Sequence, residues 1–129
     1  MNRPDNLRNP LKTARGLGSA KDGTHHFIVQ RITAVALVLL GLYVLGLLVG
    51  LAGQGDYAAA RAAVASPFNA VVLVAFLLAM FWHAQLGLQV VIEDYVHGGV
   101  AVVAQLAVRF ICVLAAIASV LAVIRIALG

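Results

Sequence analysis

The sequence predicts an all-α integral membrane protein with three transmembrane helices and its N-terminus inside. Three observations predict it. The 129 residues are 63% hydrophobic and only 11% charged, where a soluble domain carries about 25% charged residues. The apolar residues gather into three runs, 32–51, 68–92 and about 100–128, each at or beyond the ~20 residues a helix needs to cross a hydrocarbon core. The basic residues are lopsided: Arg3, Arg8, Lys12, Arg15, Lys21 and Arg31 precede or open the first run, and only Arg61 follows it before the second. The positive-inside rule then puts the N-terminus in the cytoplasm, 52–67 outside, 93–99 inside and the C-terminus outside.

The chain divides into a polar tail on the inner face, residues 1–27, and a transmembrane domain, 28–129, with spans at about 30–52, 68–93 and 100–128. Pro4, Pro10, Gly16, Gly18 and Gly23 give residues 1–24 the composition of an extended segment lying on a partner or on the membrane surface. The first apolar run exceeds the ~7–15 residues of a signal-peptide core and follows a long polar leader, so it reads as a retained span. Gly46 and Gly50, with Gly41 nearby, have a spacing that lets helix backbones approach closely in lipid. In the loop that follows, Asp56 suits the cap of a short alanine-rich helix, and Pro67 ends that helix and opens the second span. Ala115, Ser119 and Ala122 give the third span a small-residue face, again fit for packing.

Several function classes are excluded. The net charge of +4 comes mostly from the tail and is explained by topology, so nucleic acid is not a partner whereas membrane lipid is. The paired, interrupted spans of a transporter are missing. Cys112 is the single cysteine and sits in the third span; it reads as a small buried residue, and without Cys-x-x-Cys-His no haem is attached covalently.

Chemistry is concentrated in the second span. His83 is an ionisable group inside an apolar helix, a costly placement that marks a functional site, and neutral imidazole ligates metals. Phe76, Ala79, Met80, His83, Gly87, Val90 and Asp94 share one helical stripe. Gly87, one turn from His83, leaves room for a flat, bulky ligand. Eleven residues from His83 to Asp94 make about 16 Å of helix, comparable to a porphyrin's width. The competing reading of His83 is a hydrogen bond to a neighbouring helix. Of the four histidines only His83 lies within a span, with His25, His26 and His97 at or near the inner surface. A bis-imidazole haem at mid-membrane would therefore take its second ligand from another chain.

Glu93, Asp94 and Tyr95 end the second span at the inner surface. Acids and tyrosine are ordinary there, but two acids at a helix C-terminus oppose the helix dipole and call for a basic partner such as Arg31. Tyr95 offers a phenolic donor to a quinone-like carbonyl. Arg31 is either a solvated anchor or the partner of an anion such as a haem propionate, which guanidinium grips in a fork. Arg109 snorkels or forms an internal salt bridge, and Arg125 is an interfacial anchor.

Three segments resemble the hydrophobic membrane anchor of succinate dehydrogenase (respiratory complex II), bacterial type. They are 16–34, including His25, His26, Phe27, Gln30 and Arg31; 57–67 before the second span; and His83 with Gly87 followed by Glu93-Asp94-Tyr95-Val96-His97. The third span matches only as a hydrophobic helix. The resemblance implies a heterodimeric bundle with the enzyme's other anchor protein. The pair would hold the iron–sulfur and flavoprotein subunits of a tricarboxylic acid cycle enzyme on the bacterial inner (cytoplasmic) membrane. It implies that His83 is one axial ligand of haem b iron, with the other ligand supplied by that second anchor. It also implies that Gly87 and Arg31 belong to the cofactor site, Arg31 near the propionates, and that Tyr95 and Asp94 belong to the quinone site, with ubiquinone as substrate. His25 falls at a family position of less defined role. No flavin or cluster motif is present, so the chain alone catalyses nothing. Two rival readings are a purely structural assembly protein without haem or quinone contact, and a small proton or ion carrier using His83 and Arg109.

Overall fold

The computed structural model describes residues 18–129, with side chains from Gly23 onward. Four helices follow in order: α1 Gly18–Ala52, α2 Tyr57–Ala65, α3 Pro67–Tyr95 and α4 Gly99–Leu128. Among the described residues there is no strand. Three of the helices are long and apolar enough to cross a membrane, over Gly23–Ala52, Pro67–Tyr95 and Gly99–Leu128. At ~1.5 Å per residue the latter two are about 43–45 Å long, the thickness of a bilayer with its headgroup regions.

The second and third spans end within two residues of expectation. The first differs: its helix begins at Gly18, inside the stretch expected to be extended, so His25 and His26 stand on the first turns of α1. Once a long helix is nucleated, each further residue adds a hydrogen bond at little cost, even through two glycines. Residues 1–17, with Pro4, Pro10 and four of the basic residues of the tail, lie outside the described residues.

The connections are built as their residues require. Asp56 caps α2, its carboxylate accepting from the Ala58 amide at 3.0 Å. Pro67 stands in the first turn of α3, where its missing N–H costs nothing. Between α3 and α4 the chain reverses at 96–98, where the Val96 amide donates to the Ile92 carbonyl at 2.8 Å. Gly98 adopts φ +74° at that turn, a backbone conformation that favours glycine.

α3 is the central element, packing on α1 along one face and on α4 along another, with α2 laid across α3 and α4. Away from the His83 level, the Tyr43 hydroxyl donates to Asn69 Oδ1 at 2.6 Å and the Tyr43 ring stands edge-on to Phe68, centroids 5.6 Å apart. Asn69 Nδ2 donates in turn to the Ala63 carbonyl at 2.8 Å, tying α2 to the same corner. Nearer the middle, a Cβ at Gly41 would lie 3.6 Å from the Phe76 ring, so glycine lets α1 settle on α3 there. A Cβ at Gly46 or Gly50 would meet nothing within 4 Å; among the described residues no other helix closes on this pair, expected to serve helix packing.

Few side chains are enclosed. Val44, Leu86, Ile92, Cys112 and Val123 are the buried apolar residues, whereas Leu39, Val71 and Phe110 are each about two-thirds exposed. Helices apolar all round need an apolar medium or partner helices on their outer faces.

Candidate functional site

The site is built where α1 and α3 meet. On α3, His83 and Gly87 lie one turn apart on the face turned to α1, and on α1 Gln30 and Thr33 are offset by three residues on the face turned back. Thr33 Oγ1 is 3.0 Å from His83 Nδ1. The same hydroxyl donates within its own helix, with the Val29 carbonyl at 2.9 Å and the Gln30 carbonyl at 3.1 Å. The other ring nitrogen, Nε2, lies 3.5 Å from Gln30 Nε2, at the edge of hydrogen-bonding range. A Cβ at Gly87 would stand 3.9 Å from that same amide nitrogen. The Gln30 side chain thus fills the space that glycine opens beside His83. Its Oε1 is buried and has no partner.

The interhelical contact weighed for His83 from the sequence is therefore present. The ring does bond a neighbouring helix, but through Nδ1; Nε2 faces a long, weak contact with a flexible side chain.

The other expected residues are dispersed. Arg31 is exposed and lies over the Phe27 ring, 5.1 Å from its centroid. It follows Gln30 directly, so it sits at the level of His83 but about 100° round α1 from the residue that touches the imidazole. Asp94 and Tyr95 occupy the last turn of α3, both exposed, Tyr95 at 81%. Twelve residues separate Tyr95 from His83, about 18 Å along the helix. The imidazole and the phenol therefore stand well apart on one rod, the phenol at its end.

A groove of mixed polar and apolar lining, with Trp82 and Leu86 among its walls, lies between them on another flank of α3. It has a volume of about 630 Å³ and is lined by His25 and His26 of α1, Gln85, Gln89 and Glu93 of α3, and Arg109 of α4. Arg109 thus shares a groove with Glu93. Gln89 Nε2 donates to Glu93 Oε1 at 2.8 Å, and His26 Nε2 is buried without a partner. Among the described residues no cluster of three or more His, Cys, Asp or Glu could hold a metal ion on its own. Iron at this site would come with a macrocycle that supplies most of its ligands.

The donor set suits such a group. A single half-buried imidazole, a glycine one turn away and a displaceable amide between them are what a planar cofactor edged into this seam would meet. Sequence reading missed Gln30 and Thr33. The available signal was their being two polar residues three apart at the opening of an apolar span, where polar groups are expensive.

Known proteins resemble this chain over much of its length. The family model described as "Succinate dehydrogenase/Fumarate reductase transmembrane subunit" matches residues 5–124. A succinate dehydrogenase hydrophobic membrane anchor subunit from Rickettsia bellii is 38% identical over 90 residues, 70% of this chain and 71% of that protein. The protein of the same name from Paracoccus denitrificans is 33% identical over 93 residues, 70% and 69% of the two chains. The one from Rickettsia conorii is 34% identical over 83 residues, 64% and 66%. With nearly the whole chain matched and three apolar spans in place, this protein belongs to the succinate dehydrogenase membrane anchor family.

Proposed function

We propose that the chain is the membrane anchor of a succinate:quinone oxidoreductase, supplying one axial ligand of haem b and part of the site where quinone is reduced. The observation that carries the reading is His83: in a chain of this family it is the imidazole held in the α1–α3 seam with Gly87 beside it, while His25 and His26 stand nearer the start of the first span. One such histidine would be half of a bis-imidazole set, the other half coming from a second anchor protein. The open faces of the three long helices suit burial against that partner and lipid.

In this reading His83 would hold the haem iron, Gly87 would leave clearance for the ring and Arg31 would pair with a propionate. Bound haem would supply a one-electron store. Tyr95 donates its phenolic proton in a hydrogen bond to a quinone carbonyl, and Asp94 keeps the polar groups around it oriented. Both stand at the end of α3, where a headgroup can meet protons from the aqueous side while its tail remains in lipid. Succinate is oxidised elsewhere in the complex, on flavoprotein and iron–sulfur subunits, and quinone, with ubiquinone the expected substrate, receives two electrons here. The N-terminal end of the bundle then faces the cytoplasm of a bacterial cell.

The test is the complex that co-purifies with a tagged copy of this chain in mild detergent. Succinate-driven quinone reduction with flavin- and cluster-bearing subunits in the eluate is expected, together with a b-type spectrum that His83→Ala removes or alters. An unaltered spectrum in His83→Ala overturns ligation. Absence of those partners and of activity, from membranes that oxidise succinate, overturns the assembly.

A further inference from the structure

We infer that Thr33 is the positioning residue of the haem ligand: its hydroxyl selects the His83 tautomer and ring rotation that present the Nε2 lone pair to iron. The inference rests on the reading of His83 as the ligand. A threonine hydroxyl has one proton and two acceptor lone pairs. That proton has two acceptors within α1, the Val29 carbonyl at 2.9 Å and the Gln30 carbonyl at 3.1 Å, and is assigned to them. So assigned, the oxygen meets His83 Nδ1, 3.0 Å away, as an acceptor. A neutral imidazole carries one N–H, and this contact places it on Nδ1. Nε2 is left with its lone pair, the form that binds a metal.

The opposite side of the ring agrees. Nε2 lies 3.5 Å from the Gln30 amide nitrogen, a donor that would be met by an acceptor on the ring. That contact is long, and the Gln30 carbonyl oxygen beside it is buried without a partner. Gln30 therefore covers the ligating nitrogen loosely, while Thr33 holds the other nitrogen at an ordinary hydrogen-bond distance. Ligating histidines characteristically donate their second N–H to a fixed acceptor, which orients the ring and raises its basicity. A more basic ligand favours the ferric state, so losing the acceptor raises the haem midpoint potential.

The test uses the assembled complex with Thr33→Val, Thr33→Ser and Thr33→Ala, reading haem content, the b-type spectrum and the haem midpoint potential. Valine keeps the volume and loses the hydroxyl; serine keeps the hydroxyl and loses the methyl. The expected order is a wild-type potential and haem content in Thr33→Ser, with a higher potential and about tenfold or more weaker haem retention in Thr33→Val. A packing role predicts the reverse order, and that result overturns the inference. If Thr33→Val does not accumulate, Thr33→Ala against Thr33→Ser isolates the hydroxyl, since both lack the methyl, and equal potentials overturn it. His83→Ala runs alongside. A lost haem signal there with all Thr33 variants at the wild-type potential rejects Thr33 and leaves ligation standing. A retained signal there rejects ligation itself.

Discussion

At the level of single residues, α3 carries its two candidate groups at different levels. His83 is half-buried in the α1 seam, where it meets Thr33 and Gln30. Tyr95 is 81% exposed at the helix end, where a partner from outside the chain, in our proposal a quinone, can reach it. Removing its hydroxyl should therefore cost binding of that partner and little else. Tyr95→Phe is expected to lower quinone reduction by about tenfold, the worth of one hydrogen bond of ~1–1.5 kcal/mol, while haem content and subunit stoichiometry stay at wild-type levels. Steady-state kinetics with a soluble quinone checks this, and unchanged kinetics removes Tyr95 from the site. His83, Asp94 and Tyr95 were legible in the sequence because ionisable and phenolic groups stand out against an apolar helix. Thr33 and Gln30 were not, because threonine and glutamine at the start of a span read as ordinary border residues until a partner helix is seen opposite them.

Among the elements, the decisive contact is the α1–α3 seam, which sets how far the His83 ring lies from α1. Gly41 stands further along this seam, where an added Cβ would lie 3.6 Å from the Phe76 ring. That is ordinary contact distance, so Gly41→Ala is expected to be neutral or to gain up to about 1 kcal/mol from helix propensity. Gly41→Leu cannot fit without pushing the helices apart and should destabilise by about 1–3 kcal/mol. Thermal denaturation of the detergent-solubilised complex checks the pair, and a leucine variant as stable as the alanine one would show that the seam is not tight. The starts of α2 and α3 followed from local signals, the Asp56 cap and Pro67 in the first turn. The start of α1 did not, since helix propagation carried it through glycines that read locally as breakers.

Taken whole, the molecule is a scaffold with most of its apolar surface turned outward. Residues as large as Leu39, Val71 and Phe110 are about two-thirds exposed, and Gly46 and Gly50 present a flat, uncovered strip. A bilayer and other subunits complete it. The charge asymmetry of the sequence predicts which way it stands. In a Cys112→Ala background, Asp56→Cys should react with a membrane-impermeant thiol reagent added outside the inner membrane, and His97→Cys only after permeabilisation. The opposite pattern would invert the orientation.

Composition and short-range chemistry were enough for the spans, the caps and the family. The three spans follow from the length of apolar runs against the thickness of hydrocarbon, the caps from residues within one turn, and the family from motifs lying along single helices. What His83 touches required the packed bundle. Its contacts with Thr33 and Gln30 depend on two segments some fifty residues apart in sequence, joined by an antiparallel register that no local pattern specifies. Packing also put Arg109 in a groove with Glu93 and left open space beside Gly46 and Gly50 among the described residues. In lipid there is little hydrophobic preference between helix faces to signal such pairings in advance, so close fit and a few polar contacts settle them.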